Sequence, residues 1–208
     1  MPDFFFENQY QGLIAGVDES GRGPLAGPVV AAAAIFLTQD PREIDFLAEL
    51  DDSKKITKKK REILYNKIIN HPKIISSFKA ITNQRIDEIN ILNATREAMQ
   101  ESLKIISLNY DISMVLVDGN LSMLAGSLPE KPLIKGDSKS YSIAAASIVA
   151  KVKRDMIMSD LEGQYPQYNW SRNAGYPTKE HLELIAKFGV CPYHRKSYAP
   201  IKKQLKIA

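Results

Sequence analysis

The sequence predicts an α/β fold with a helical C-terminal piece, on three observations. Residues 13–17, 29–37 and 114–117 are short apolar runs with the length and composition of strands, and residues 132–134 form a shorter one. Residues 57–70, 83–107 and 141–163 carry the spacing, capping residues or unbroken small-apolar content of helices. Acids stand beside glycine where three of these runs end: Asp18-Glu19 ahead of Gly21, Asp118 before Gly119, and Asp137 after Gly136. Ligands of open α/β sheets gather at such strand ends.

Composition narrows the class. The 208 residues suffice for one substantial core, or for a main domain with a small appendage. A balance of 28 Lys and Arg against 24 Asp and Glu is mildly basic, which suits a polyanionic partner. The single cysteine, Cys191, excludes an internal disulfide framework and any multi-cysteine zinc site; it fits a reducing cytosol and reads as a small buried apolar residue. The acidic start is unlike a signal peptide. The longest near-apolar run, residues 24–37, is too short and too broken by glycine and proline to span a bilayer, so a soluble, cytoplasmic chain with no membrane partner is expected.

Taken in order, residues 13–17 and 29–37 read as paired strands, the second small-residue-rich over residues 31–34, as where something packs closely on a sheet. A turn containing Pro41 leads to a short amphipathic helix over residues 43–50 and a polar loop over residues 51–55. Thr57 is placed to cap a helix with Ile63, Leu64, Ile68 and Ile69 on one side. Lys58, Lys59, Lys60 and Arg61 at its start oppose the helix dipole; such a run is either a solvated face or a contact surface. His71-Pro72 stops that helix, and residues 73–82 read as a third strand. Within residues 83–107, Asn93-Ala94-Thr95-Arg96 brings polar groups that either face water or reach a ligand phosphate.

Residues 114–117 are apolar on both faces, as in a central strand. Ser140 caps the helix over residues 141–163, whose alanine-rich first half must pack closely on the sheet and whose later part, residues 151–155, emerges basic into solvent. Asp155 there is more simply an ion-pair partner of Lys151 than a ligand. After Gly163 the composition shifts to aromatic, proline and amide residues, which places a boundary between residues 1–163 and 164–208. Thr178 caps a last helix over residues 179–188, and a basic tail containing His194, Arg195 and Lys196 closes the chain.

Adjacent acids are commonly no more than a solvated surface pair. In a strand Asp18 and Glu19 point to opposite faces and share a site only where the strand ends. The permissive backbone of Gly21-Arg22-Gly23, flanked by apolar runs, shifts the balance toward a built site that offers backbone N–H groups to an anion. Four carboxylates drawn together, Asp18, Glu19, Asp118 and Asp137, would repel one another unless cations were bound between them. With no histidine or cysteine in those segments, Mg2+ or Mn2+ is the natural choice. Two such ions about 4 Å apart can activate a water and steady a leaving oxygen, which is what phosphodiester hydrolysis requires.

Several motifs occur in order: D-E-S-G-R-G-P-L-A-G-P-V-V from Asp18, D-S-K-K-I-T-K-K-K-R-E from Asp52, N-A-T-R-E-A-M from Asn93, V-D-G-N from Val117, K-G-D from Lys135 and S-I-A-A-A-S-I-V-A-K-V-K-R-D from Ser142. Together they resemble bacterial ribonuclease HII across residues 13–200. The resemblance implies an RNase H-like fold: a five-stranded mixed sheet flanked by helices, its first three strands antiparallel, plus a C-terminal helical extension. Residues 1–163 would then be the catalytic domain and residues 164–208 a helical subdomain contributing to substrate binding. It implies an endonuclease that hydrolyses the RNA strand of RNA/DNA hybrids and cuts 5′ of single ribonucleotides embedded in duplex DNA, leaving 5′-phosphate and 3′-hydroxyl ends.

Carried onto this chain, the resemblance makes Asp18, Glu19, Asp118 and Asp137 the ligands of two Mn2+ or Mg2+ ions. Gly21, Arg22 and Gly23 would read the ribose 2′-hydroxyl through backbone groups, that hydroxyl being what separates RNA from DNA. Tyr176 would stack on the deoxyribose after the junction and hydrogen-bond toward the same hydroxyl, while Lys54, Lys55 and Arg22 would contact phosphate. Arg195 and Ser197 would serve packing or phosphate contact. The family's H-K-G-Y-G-T stands here as R-N-A-G-Y-P-T over residues 172–178, with Asn173 and Ala174 lacking basic character and Pro177 stiffening the backbone after the tyrosine. Tyr193 also stands where a smaller aliphatic residue is common, a packing change. The sequence names no replication-machinery partner, and nothing in it calls for more than a monomer.

Three other readings compete. Gly21-x-Gly23-x-x-x-Gly27 after a strand approaches a dinucleotide fingerprint, with the wrong spacing and a strand where the helix belongs. A metal-free ribonuclease built on His181 and His194 has no use for four strand-end acids, and full activity in excess EDTA would favour it. A silent hybrid-binding module is disfavoured because every acid the chemistry needs is present.

Overall fold

The computed structural model describes residues 1–208 except Asp52, Lys54, Lys55, Ala125, Ser127 and Ala208. Among the described residues the chain builds a mixed sheet of five strands: β1 (Leu13–Ser20), β2 (Val29–Phe36), β3 (Ile74–Ile81), β4 (Ile112–Asp118) and β5 (Glu130–Leu133), in the order β3-β2-β1-β4-β5. Within β1, β2 and β3 each adjacent pair is antiparallel, and β4 and β5 join parallel on the other side of β1.

The alternation of side chains along β2 sorts the two faces. Ala32, Ala34 and Phe36 face α1 (Lys58–Asn70) and α3 (Tyr141–Gln164), while Ala31, Ala33 and Ile35 face α2 (Asn83–Ser107). The alanines let helices approach both sides closely. At Gly16 on β1 the approach is closest, since a Cβ there would lie 2.2 Å from the Ile143 nitrogen of α3. Asp18, two residues on, therefore looks toward the same helix one turn later, at Ser147.

Hydroxyl caps start the helices where the sequence places them. Thr57, Ser140 and Thr178 accept N–H groups three residues on, from Lys60, Ile143 and His181 of α1, α3 and α5 (Lys179–Phe188). Thr82 caps α2 in the same way. Asn90 breaks α2 with φ of 66°, and its side-chain oxygen accepts from Leu92 and Asn93, restarting the helix. Of the polar group that follows, Thr95 is buried and donates to the Ile91 carbonyl.

Five expectations are corrected. Residues 43–50 form no α-helix but lie across two 3-10 turns, Pro41–Glu43 and Leu47–Glu49. Ile44 and Phe46 would point to opposite sides of a helix, yet both are buried in one cluster. In α1 the buried stripe is Arg61, Leu64, Tyr65 and Ile68, leaving Ile63 and Ile69 exposed. Arg61 is no solvated cation, since it donates to the Ser53 and Ile56 carbonyls and holds the preceding loop. Arg154, within the stretch expected to emerge into solvent, is fully buried. The helix over residues 179–188 is not the last: His194 and Arg195 of the basic tail are buried, and a further helix, α6 (Ala199–Ile207), follows α5 and the short α4 (Trp170–Asn173).

This C-terminal region folds back onto the loop after β1. Leu25 donates to the Gly175 carbonyl, Gly27 to Tyr193, and Arg195 returns a bond to Leu25. A core of Leu25, Ala26, Met158, Tyr168, Trp170 and Ile201 fills the seam, with Cys191 buried beside it as a small apolar residue. Among the described residues no helix is long and apolar enough to cross a membrane.

Candidate active site

Strand register brings three of the acidic segments to one edge. Val17 pairs with Val117, so Asp18 and Asp118 stand side by side on neighbouring parallel strands, Asp118 at the end of β4 and Asp18 before the last two residues of β1, Glu19 and Ser20, and Asp118 pairs in turn with Leu133 of β5. The chain then turns through Gly136–Ser138, where the Gly136 N–H donates to Asp118 Oδ1 at 2.7 Å and so docks Asp137 beside β4. Asp18 and Asp137 are buried. Glu19 follows Asp18 and meets the Arg22 guanidinium at 3.4 Å.

Asp18 is the electrostatic centre of the group. Its Oδ1 accepts the Glu19 N–H at 2.6 Å, and the Ser147 hydroxyl bonds it from α3. Against those bonds, burial, then the Glu19 charge, then the Asp118 charge push its pKa well above the usual carboxylate value. The Asp18 carboxylate is thus held against its charge, and the donors of the four acids are oxygen alone, which fits a hard divalent cation. The strand ends converge more than the side chains do: among the described residues no three His, Cys, Asp or Glu groups are gathered so as to hold a metal ion as they stand.

Beside Asp18 opens a cavity of about 470 Å³, bordered by Glu19, the turn over residues 20–23, Ser53, Ile56, Arg61, Ser147, Lys151 and Tyr176. Asp118 and Asp137 are not on its wall. Lys151 pairs with Asp155 at 2.6 Å, the ion pair that helical spacing predicts. Gly21 has φ of +100°, and a Cβ on it would meet the Arg154 side chain at 2.1 Å, so the turn requires glycine there. Tyr176 flanks the same turn: its Cε1 would be 3.6 Å from a Cβ on Gly23. Lys54 and Lys55 lie outside the described residues.

The departures over residues 172–178 have a structural use. Asn173 is buried, donates to the Tyr168 carbonyl at 2.7 Å and accepts the Gly175 N–H at 2.8 Å. Ala174 and Gly175 take φ of 47° and 76°. Asn173 thereby shapes the tight turn that presents Tyr176.

Of the two arginines behind the site, sequence reasoning missed Arg154 and left Arg195 open between packing and phosphate contact. Arg154 donates to the carbonyls of Ala26, Pro28 and Ala174, and Arg195 to those of Gly21, Arg22, Gly27 and Pro28. For Arg195 packing, rather than phosphate contact, is what the burial shows. No local signal separates such an arginine from a surface one, because its partners lie far away in the chain.

His181 and His194 are fully buried and border no part of the cavity. Trp170 Nε1 donates to His181 Nε2 at 3.1 Å, and the Cys191 N–H donates to His194 Nδ1 at 3.0 Å. Each imidazole is therefore needed as an acceptor, and burial holds both pKa values down, that of His194 to about 4. They are structural groups.

The family model described as ribonuclease HII matches residues 15–201. The chain belongs to the ribonuclease HII family. It is 46% identical over 207 residues to the ribonuclease HII of the Wolbachia endosymbiont of Brugia malayi (strain TRS), covering 100% of this chain and 98% of that protein. The ribonuclease H2 crystal structure from Pyrococcus horikoshii OT3 superposes with a TM-score of 0.73 at 26% identity, covering 94% of this chain and 98% of that one. Bst-RNase HIII, solved in complex with Mn2+, shares the fold with a TM-score of 0.73 at 20% identity, over 100% of this chain and 74% of its own. The expected mixed sheet, with its first three strands antiparallel, is the one observed. Ribonuclease HII membership makes the chain a ribonuclease H endonuclease, an enzyme of the RNA strand in RNA/DNA hybrids.

Proposed function

We propose that this ribonuclease HII also incises duplex DNA 5′ of a single embedded ribonucleotide, by metal-assisted phosphodiester hydrolysis that leaves 5′-phosphate and 3′-hydroxyl ends. The observation that carries the reading is the position of Asp18. It is buried, its charge is disfavoured by Glu19 and Asp118, and it opens on the cavity that Gly21, Arg22, Gly23 and Tyr176 also border.

In this reading Asp18, Glu19, Asp118 and Asp137 hold two divalent ions, Mn2+ or Mg2+, and the Mn2+ complex of the related fold supports that choice. Bound there, the ions supply water activation and stabilise the departing 3′-oxygen. The protein's own groups do the rest. Gly136 N–H fixes the orientation of the Asp118 carboxylate, and Ser147 and the Glu19 N–H fix that of Asp18. The backbone of Gly21, Arg22 and Gly23 approaches the ribose without an intervening side chain, so an amide can test for the 2′-hydroxyl. Tyr176, 39% exposed, offers its ring to the sugar after the junction. Arg22, Lys54 and Lys55 serve the phosphates. Residues 1–163 would carry the chemistry, and residues 164–208 would contribute Tyr176 to substrate binding.

The test is cleavage of duplex DNA bearing one ribonucleotide, beside an all-DNA duplex and a continuous RNA/DNA hybrid, with Mg2+ or Mn2+. Incision on the 5′ side of the ribonucleotide, with the all-DNA duplex intact, is expected. Cleavage of the hybrid alone would remove the single-ribonucleotide activity, and full turnover in excess EDTA would remove the metal reading.

A further inference from the structure

The turn over residues 21–23 is held from behind by a buried cation. Arg195 is fully buried and has no carboxylate among its hydrogen-bond partners. Its Nη2 donates to the Gly21 carbonyl at 2.6 Å and its Nη1 to the Arg22 carbonyl at 3.0 Å, while Nε and Nη2 reach Gly27 and Pro28. The Tyr198 hydroxyl accepts from Nη1 at 2.9 Å and donates to the same Arg22 carbonyl at 2.6 Å. Stripping water from a guanidinium is costly, and burial accordingly depresses its pKa. A cation placed so is a demanding way to fill space, and its fork geometry matches a cluster of carbonyls that an ammonium cannot span.

The consequence follows from peptide planarity. Among the described residues there is no cis peptide bond, so each carbonyl in the turn and the N–H of the next residue point in opposite directions. Holding the Gly21 and Arg22 carbonyls toward Arg195 turns the N–H groups of Arg22 and Gly23 away from it. The turn borders the cavity, and Arg195 does not. Among the described residues neither N–H meets an acceptor within the protein. Two adjacent free donors thus share a backbone that cannot rotate.

We propose that Arg195 is a positioning residue for 2′-hydroxyl discrimination: it fixes the peptide planes of the turn so that the Arg22 and Gly23 N–H groups face the substrate. The proposal rests on the reading that this turn tests the ribose hydroxyl. Tyr198 assists through the Arg22 carbonyl. A residue that merely tied the C-terminal region down would support folding but not discrimination.

The experiment measures binding without catalysis, in EDTA, by fluorescence anisotropy. The full-length protein is titrated with three duplexes identical except at one sugar, which is ribo, deoxy or 2′-O-methyl. Wild type is compared with Arg195→Lys and Tyr198→Phe, and the backbone amide resonances of Arg22 and Gly23 are followed in 15N-labelled protein. Arg195→Lys is expected to cut the preference for ribo over deoxy by about five- to tenfold, the size of one or two net hydrogen bonds, with affinity for the deoxy duplex unchanged. Tyr198→Phe, which keeps the packing, should move the preference and the two amide resonances in the same direction by less. A folded Arg195→Lys protein with wild-type preference overturns the proposal. If Arg195→Lys does not fold, unmoved preference and amide resonances in Tyr198→Phe overturn it. A wild type that does not distinguish the three sugars overturns the reading of the turn instead, and the amide resonances then still decide whether Arg195 holds the backbone.

Discussion

Asp18 and Asp118 lie on neighbouring parallel strands, one residue beyond the Val17–Val117 pair, and burial, then the charge of Glu19, then that of Asp118 raise the proton affinity of Asp18. An acid whose folded pKa is raised destabilises the fold once pH exceeds its unfolded pKa, because the native state binds the proton more tightly than the unfolded chain. Asp18→Asn removes that charge. It is expected to raise the melting temperature of the metal-free protein at neutral pH while lowering turnover by at least about a hundredfold. Added Mg2+ or Mn2+ should raise the wild-type melting temperature and leave that of the variant nearly unmoved. Scanning calorimetry with and without EDTA, beside the cleavage assay, checks both halves, and undiminished turnover would sink the role given to Asp18.

Gly16 sets how near α3 comes to β1. A Cβ there would lie 2.2 Å from the Ile143 nitrogen and from the Ser142 carbonyl carbon, backbone atoms that cannot rotate aside. Gly16→Ala must therefore push the helix start off the strand, at a cost of about 3 kcal/mol or more. It also moves Ser147 relative to Asp18. Urea denaturation is expected to show a lower midpoint with an unchanged slope, and a loss below about 1 kcal/mol would mean that the helix yields easily.

What the sequence made legible was periodic or local. Thr57, Ser140 and Thr178 announced their helices because a cap acts across three residues, and 114–117 announced a covered strand because every side chain is apolar. The strand end at Asp118 could be placed for the same reason, whereas the first strand does not end at its acids and runs on through Asp18 and Glu19 to Ser20, paired with β2. What stayed hidden depends on residues far apart in the chain. Arg195 reaches Gly21, and Arg154 reaches Ala26, through folding that no window of sequence contains. Ile44 and Phe46 misled because their spacing near Leu47 and Leu50 resembles a helix, whereas the core takes all four from an irregular segment. Asn173 counted as a lost cation in the sequence and is in the fold a turn-maker.

The two stacked histidines make stability depend on pH. Burial, and then the neighbouring His181, lower the pKa of His194 from 6.5 to about 4, and its Nδ1 accepts the Cys191 N–H. Between those values the unfolded chain binds the proton and the native state does not, so stability falls as pH drops below about 6.5 and levels off near 4. The loss attributable to this group is at most about 3 kcal/mol. A pH series of urea midpoints should show the decline, and His194→Gln, which cannot titrate, should flatten it. An equally steep decline in the variant would assign the effect to other groups.

Tyr176 is 39% exposed, and its ring centre lies 5.9 Å from the Arg154 guanidinium, a contact worth about 1 kcal/mol to the fold. Its larger role, on the proposed reading, is to stack on a sugar beside the Gly23 backbone. Tyr176→Ala is then expected to lower kcat/KM for a lone ribonucleotide about tenfold or more, by analogy with the loss of an aromatic platform, while lowering stability only slightly. Tyr176→Phe keeps the ring and removes the hydroxyl, so it should recover the stacking share of that loss and none of the hydroxyl's. Steady-state kinetics on the single-ribonucleotide duplex and melting curves of all three proteins separate the two roles. If activity and melting temperature fall in proportion in Tyr176→Ala, the ring is there to pack against Arg154, and the junction must be read by the turn alone.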